Sequence, residues 1–383
     1  MKVKQPKKKV DLKQYYDIVS RVRIDHRDYQ VIFNELVDAY DSVGHTATPV
    51  CLLITGDTRT GKSCVVRDLL ECYLPTQGEC ALVRSVVYAV APAKATVKSL
   101  LEALLKGLGD PFWSRGSEST MTQRLYTMLD AVQCKMIILD EFQHICDKGQ
   151  AKKLDLLADW LKVLIESKKY GLVAVGLPVA ASVVNGHKQL IGRFDEVLRM
   201  PLFDWKDTAS VAQFRGVLRQ FERELHPFKM PALDSRDMAL RIYLATAGRI
   251  GLVAKLLDRV VRSAIRAGTL EIRIEDFAKA YGRAIWSAQL FPVRGGPFVA
   301  PMHLLSNDEV RSTILSNAAM EPVADESAAV SVFGKDTPPA SPPESLANSS
   351  GRSQSSGRSR SGHAGGRRTS HRSQVKRDLA RAL

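Results

Sequence analysis

Residues Gly56, Asp57, Thr58, Arg59, Thr60, Gly61, Lys62 and Ser63 fit the spacing G-x-x-x-x-G-K-[ST] in full. That spacing serves one kind of chemistry, in which backbone N–H groups wrap around phosphates and glycine lets them turn inward with no Cβ in the way. Lys62 then reaches the β- and γ-phosphates, and the Ser63 hydroxyl can coordinate magnesium. The whole run from Gly56 through Cys64 is therefore read as binding ATP, with Mg2+. Hydrolysis needs more than a phosphate loop. Asp140 and Glu141 follow the apolar run Met136–Leu139. There Asp140 is placed to hold magnesium through its water shell, and Glu141 to act as general base.

A phosphate loop works only between a strand and a helix. Val50, Leu52, Leu53 and Ile54 supply the short apolar run of a buried parallel strand, while Val65, Val66, Leu69, Leu70 and Tyr73 recur at helical spacing until Pro75. Upstream, residues 25–42 read as a helix capped by Asp25. Downstream, strands at 81–90, 136–139 and 170–178 alternate with helices at 96–109, 120–132 and 154–167. Such alternation specifies a doubly wound parallel sheet with its ligand beyond the strand C-termini. From 207 the pattern is helical only, over 207–226, 234–248, 249–268 and 273–289. The expected organisation is a basic arm (1–24), an α/β nucleotide-binding domain (25–206), a small helical lid (207–290) and a mostly disordered tail (291–383).

The net charge of +14 is unevenly spread: residues 1–9 carry +5 and residues 351–383 carry +8, leaving +1 for the body. Residues 335–374 are rich in Pro, Ser, Gly and Arg, with little to bury, and are expected to be disordered. At the end of the tail Val375, Leu379 and Leu383 are spaced by four, a single stripe on a short helix or part of an unbound solubilising tail. Cys51, Cys64, Cys72, Cys80, Cys134 and Cys146 show no zinc-type spacing and are expected to be buried free thiols. With no apolar run of membrane length and no signal-peptide core, the expectation is a cytoplasmic protein without membrane contact.

The segments "GDTRTGKS", "MIILDEFQHI", "VAVGLP", "LIGRFDEVLRMPLFDW" and "ATAGRIGLVAKLL" together resemble the AAA+ ATPases of DNA transposition. The chain is most similar in type to TnsC/TniB and more distantly to MuB, over roughly residues 25 to 290. The resemblance implies an AAA+ P-loop domain with a helical lid. It implies Arg193 as an arginine finger reaching a neighbouring subunit's γ-phosphate, against the alternative of a surface arginine paired with Asp195 or Glu196. Arg249 at the lid start is read as a further nucleotide contact, although it directly follows Gly248 where the family places an arginine further along the helix. Lys94, Thr96, Lys98, Arg115 and Ser119 are implied as contacts along one phosphate backbone of double-stranded DNA, against the alternative of an ordinary helix face and turn. Implied partners are a transposase, a target-selection factor and further copies of the chain in a ring or helical filament.

The sequence departs from the family where a polar sensor should follow "VAVG", since Leu177 stands there. Either hydrolysis is slow, or Gln143 or His144 substitutes. The expected function is an ATP-dependent DNA-bound oligomer that marks an insertion site and recruits the transposase, with hydrolysis, slow and stimulated by DNA or a partner, controlling disassembly. The alternatives are a replication-initiator or helicase-loader ATPase, and a nucleotide-gated scaffold that hardly hydrolyses.

Overall fold

The computed structural model describes residues 12–78, 82–93, 95–146, 151–167, 169–187, 190–285, 291–293 and 295–319. The expectations for the lysine-rich start (1–9), Lys94, Cys80 and the tail beyond 320 lie outside these residues. The described residues belong to one compact unit that runs to Pro322.

Apolar runs of five or six residues, fully buried, make the three central strands: β1 (Cys51–Gly56), β5 (Met136–Asp140) and β6 (Gly171–Gly176). Between β1 and β5 come a short antiparallel pair, β2 (Thr76–Gln77) and β3 (Leu82–Val83), and then β4 (Val86–Val90). After β6 comes β7 (Glu196–Met200). The main sheet is wholly parallel in the order β4-β5-β6-β1-β7. Order reverses beside β1, which opens a crevice at its C-terminal edge.

The strand expected over 81–90 is split, because the Arg84 N–H donates to the Val132 carbonyl at 2.8 Å while its guanidinium turns to the Gly107 carbonyl. Strand β7 and the helix after β6, Val179–Gly186, carry too short a signal to be read from periodicity, and both escaped the sequence reading.

Helices α1 (Arg27–Ser42) and α2 (Lys62–Cys72) cover one face of the sheet, on Leu52 and Ile54. The other face, with Cys51 and Leu53, packs on α3 (Val97–Leu108), α4 (Glu118–Ala131), α5 (Ala151–Glu166) and α6 (Val179–Gly186). This alternation along β1 is the period of a strand buried on both sides. Asp25 does not cap α1. The N-cap is His26, and the Asp25 carboxylate accepts from Gln30 Nε2 at 3.0 Å. Cys51 and Cys134 are buried free thiols, which burial pushes up to about 11 and about 12. Cys64 and Cys72, by contrast, are exposed, since they flank the stripe of Val65, Val66 and Leu69 that α2 turns to the sheet.

A second core is helical, built from α7 (Thr208–Glu224), α8 (Arg236–Thr246), α9 (Ile250–Ala267) and α10 (Ile274–Ala284). It extends further than the periodicity indicated. Short α11 (Met302–Leu305) and α12 (Asp308–Ala319) add Leu305 and Ile314, so the helical part continues past 290 to Ala319. Nor is the segment before residue 25 a loose arm over its described part, because Leu12, Val19 and Val22 are buried in this same core.

Candidate nucleotide site

The loop from Gly56 to Gly61 leaves the C-terminal end of β1 and enters α2 through Gly61, whose φ of 112° suits only glycine. Arg59 also takes a left-handed φ of 62°. Thr60 is buried and donates to the Asp57 carbonyl at 2.9 Å, which closes the loop on itself. Lys62 Nζ lies inside this ring, donating to the carbonyls of Gly56 at 2.8 Å and Asp57 at 2.7 Å. Asp57, Thr58 and Arg59 are half-buried around it, and Ser63 and Cys64 open to solvent at the start of α2.

Asp140 closes β5 on the same sheet edge, in step with the end of β6 between β5 and β1. It is 6% exposed, with Oδ2 accepting from the Tyr88 hydroxyl at 3.0 Å and Oδ1 from the Glu141 N–H at 2.8 Å. Burial and the Asp140 carboxylate both push the Tyr88 phenol up, so it stays a donor. Glu141 has a left-handed φ of 55°, the kind of backbone strain that concentrates at working sites. Its carboxylate accepts from Gln143 Nε2, and His144 Nε2 lies 3.9 Å from Oε2. No cluster of three or more His, Cys, Asp or Glu suited to a metal occurs among the described residues. A hydroxyl and one carboxylate at a phosphate loop fit magnesium, which keeps most of its waters and shares the substrate's phosphates.

The lid reaches the same loop. Arg249 is the N-cap of α9, and its Nε is buried with no hydrogen-bond partner. Two residues on, the Gly251 N–H donates to the Arg59 carbonyl at 2.9 Å. A β-carbon at Gly251 would stand 2.9 Å from Arg59 Cβ and 3.1 Å from its carbonyl oxygen, so helix and loop touch backbone to backbone.

Beside this seam lies a cleft of about 40 Å³ lined by Val22, Ile24, His26, Cys64, Met200 and Ile250, among others. Arg23, Arg67 and Asp68 line it as well, so apolar walls meet a charged rim beside the phosphate loop. The segment that supplies the first three is tied to α2 by ion pairs from Arg23 to Asp68 and Glu71. Tyr29 adds a hydroxyl bond to Asp68. Buried beneath Phe203 at 5.5 Å, His26 has its pKa lowered by burial, against the nearby Asp28 and Asp25. The sequence reading missed this wall. Val22 and Ile24 lie in the irregular stretch 22–26 that follows a 3-10 turn, and follow neither helical nor strand periodicity.

Arg193 is at the opposite edge of the sheet. Two residues later, Asp195 exchanges hydrogen bonds with Cys51, the first residue of β1, at 2.9 and 3.1 Å. Five residue steps along β1 separate that point from Gly56, about 17 Å. The Arg193 side chain pairs with Glu166 of α5 at 2.5 Å.

The residues suggested for DNA lie around α3 and α4. Thr96 caps α3, its Oγ accepting from the Ser99 N–H at 3.1 Å, and Lys98 is exposed in the first turn. Arg115 and Ser119 are exposed at the α3–α4 loop and the start of α4. That loop also presents Phe112, 52% exposed, and Trp113, 37% exposed, with Arg115 and Lys106 each 5.5 Å from a ring centre. It is braced from within: Arg124 pairs with buried Asp110 at 2.8 Å and donates to the carbonyls of Phe112 and Arg115. No described helix is long and apolar enough to cross a membrane.

Among solved structures, the fold is similar to the Aeropyrum pernix ORC2 protein in its ADPNP-ADP complexes, at 16% identity and a TM-score of 0.53 over 72% of this chain and 74% of that one. It is also similar to the Aeropyrum pernix ORC1 protein in complex with DNA, at 17% identity and TM-score 0.51 over 70% and 69%. Cdc6p from Pyrobaculum aerophilum gives 18% identity and TM-score 0.52 over 72% and 74%. Identities this low establish the fold, which is that of an AAA+ ATPase. No curated protein sequence matches the chain. The family described as "Bacterial TniB protein" matches residues 16–207, from the cleft wall through the phosphate loop to the strand beyond Arg193. A match over half the chain, laid on this fold, makes the chain a member of the TniB family.

Proposed function

We propose that the chain is an ATP-dependent, DNA-bound oligomeric regulator of transposition, which marks a target site and recruits a transposase until hydrolysis releases it. One observation carries the oligomeric part. Two residues past Arg193, Asp195 meets Cys51 about 17 Å along β1 from the loop, which supports a finger that serves a neighbour rather than its own γ-phosphate. A finger so placed acts on a neighbour, and the Glu166 pair holds it at the surface until the neighbour arrives. In the cis site, Gly56 through Cys64 cradle the phosphates and Arg249 supplies a buried, unpartnered donor beside them. Ser63 and Asp140 would hold Mg2+, which would supply charge neutralisation of the phosphates. Glu141 orients water and takes its proton.

Duplex DNA is the ligand to assay, since one fold relative was solved with DNA. Lys98, Arg115 and Ser119 on exposed surface, with the aromatic pair beside them, offer few contacts per subunit, so affinity comes from many subunits acting together. The target-selection factor and transposase would read the assembled oligomer. A scaffold that hardly hydrolyses is favoured only by the apolar side chain at Leu177.

The test is ATP turnover with and without duplex DNA for Arg193→Ala, Lys62→Ala and their mixture. Each variant alone should be inactive, and the mixture should recover turnover, because an intact loop then meets an intact finger across one interface. Co-assembly without recovered turnover at any ratio refutes the finger. Wild-type turnover near background in every condition returns the scaffold reading.

A further inference from the structure

At the end of β6 the polar group is a backbone one. The Leu177 N–H donates to Gln143 Oε1 at 2.9 Å. That contact orients the amide, so that Nε2 points the other way and donates to Glu141 Oε2. Gln143 sits in the 3-10 turn Phe142–Cys146, anchored by the fully buried Phe142 ring and by a bond from the His144 N–H to the Glu141 carbonyl at 2.9 Å. The strand end is shaped around it, because a β-carbon at Gly176 would lie 2.6 Å from Gln143 Oε1.

We infer that Gln143 is the positioning residue that aims the Glu141 carboxylate and ties it to the end of β6, making the link that the Leu177 side chain cannot. The inference rests on the reading of Glu141 as the base. The amide fixes the direction in which the carboxylate is presented to the water. Because the same amide grips the backbone of Leu177, any shift of β6 or α6 is felt at the base.

Steady-state turnover and the affinity of a fluorescent ATP analogue test it. Gln143→Ala should lower kcat about tenfold with nucleotide affinity within about twofold. Gly176→Ala keeps the glutamine but fills its seat, and should do the same. In a Glu141→Gln background, Gln143→Ala should cost nothing further. Wild-type or faster turnover in Gln143→Ala overturns the inference, as does a loss that persists undiminished beside Glu141→Gln. If the wild type shows no turnover that Lys62→Ala removes, the ATPase reading falls and this one with it. If that turnover exists and the Gln143 variants share it, this inference alone falls.

Discussion

Replacing Gly251 by alanine tests the contact between lid and phosphate loop more sharply than removing a side chain would. The new β-carbon would lie 2.9 Å from Arg59 Cβ, 3.1 Å from its oxygen and 3.2 Å from its Cα. Carbon pairs rest at about 3.5–4.0 Å, so the first turn of α9 must retreat by roughly half an ångström or more. The obstacle is backbone in a left-handed conformation and cannot rotate aside. Overpacking of this kind costs about 1–3 kcal/mol, and stretching the 2.9 Å Gly251 bond adds to it. Helix propensity returns at most about 1 kcal/mol, and less in a first turn than in an interior. The net expectation is a loss of about 1–2 kcal/mol at the seam that carries Arg249 and Ile250. Isothermal titration with ATP should then show about a tenfold weaker Kd. Gly216→Ala in α7 is the control: nothing lies within 4 Å of its β-carbon, and it should stabilise by about 0.5–1 kcal/mol with Kd unchanged. If Gly251→Ala binds ATP as the wild type does and gains stability as Gly216→Ala does, the seam is not tight and the argument fails.

Glu141→Gln should keep ATP binding while trapping assembled protein, visible as a persistent large species in gel filtration with ATP. Turnover equal to wild type would remove Glu141 from the base role. Arg115→Ala should weaken duplex binding evenly across sequences and reduce the salt slope of log K by about one; an unchanged slope would show that Arg115 meets no phosphate. The lowered pKa of His26 means that the folded state binds fewer protons than the unfolded below about pH 6.5. Stability present above that pH should therefore be lost as pH falls through it, and His26→Gln should lose less between about pH 7.5 and about pH 5.5 in urea titrations. Equal losses in the two proteins would show that His26 does not carry the effect.

Much of the catalytic edge was legible because its signals are local. A phosphate loop has a fixed spacing, and a run such as Met136–Leu139 followed by two acids can only be a buried strand end in such a fold. What escaped depends on partners distant in sequence. Asp25 looks like a cap, yet its backbone N–H and carbonyl both pair with the Gln220 amide of α7, which holds the chain out of helix until His26. Leu177 looked like a missing sensor because only its side chain was considered, whereas its N–H does the bonding. Strand β7 is an edge strand of mixed character, and its place beside β1 follows from pairing that no local pattern encodes.

The stretch from Leu12 to His26 runs from the lid core, across Gln220, to α2 and Phe203, and so crosses the molecule like a seat belt over the cleft beside the phosphate loop. Arg21 and Arg23 are trypsin sites within it, and Arg21 is exposed. A base seated in the cleft would press on this strap from beneath, so nucleotide occupancy should be readable as slower cleavage there. Conversely, a truncation at residue 25, where the domain boundary was placed from sequence, would strip apolar side chains from the lid and a wall from the cleft in one cut.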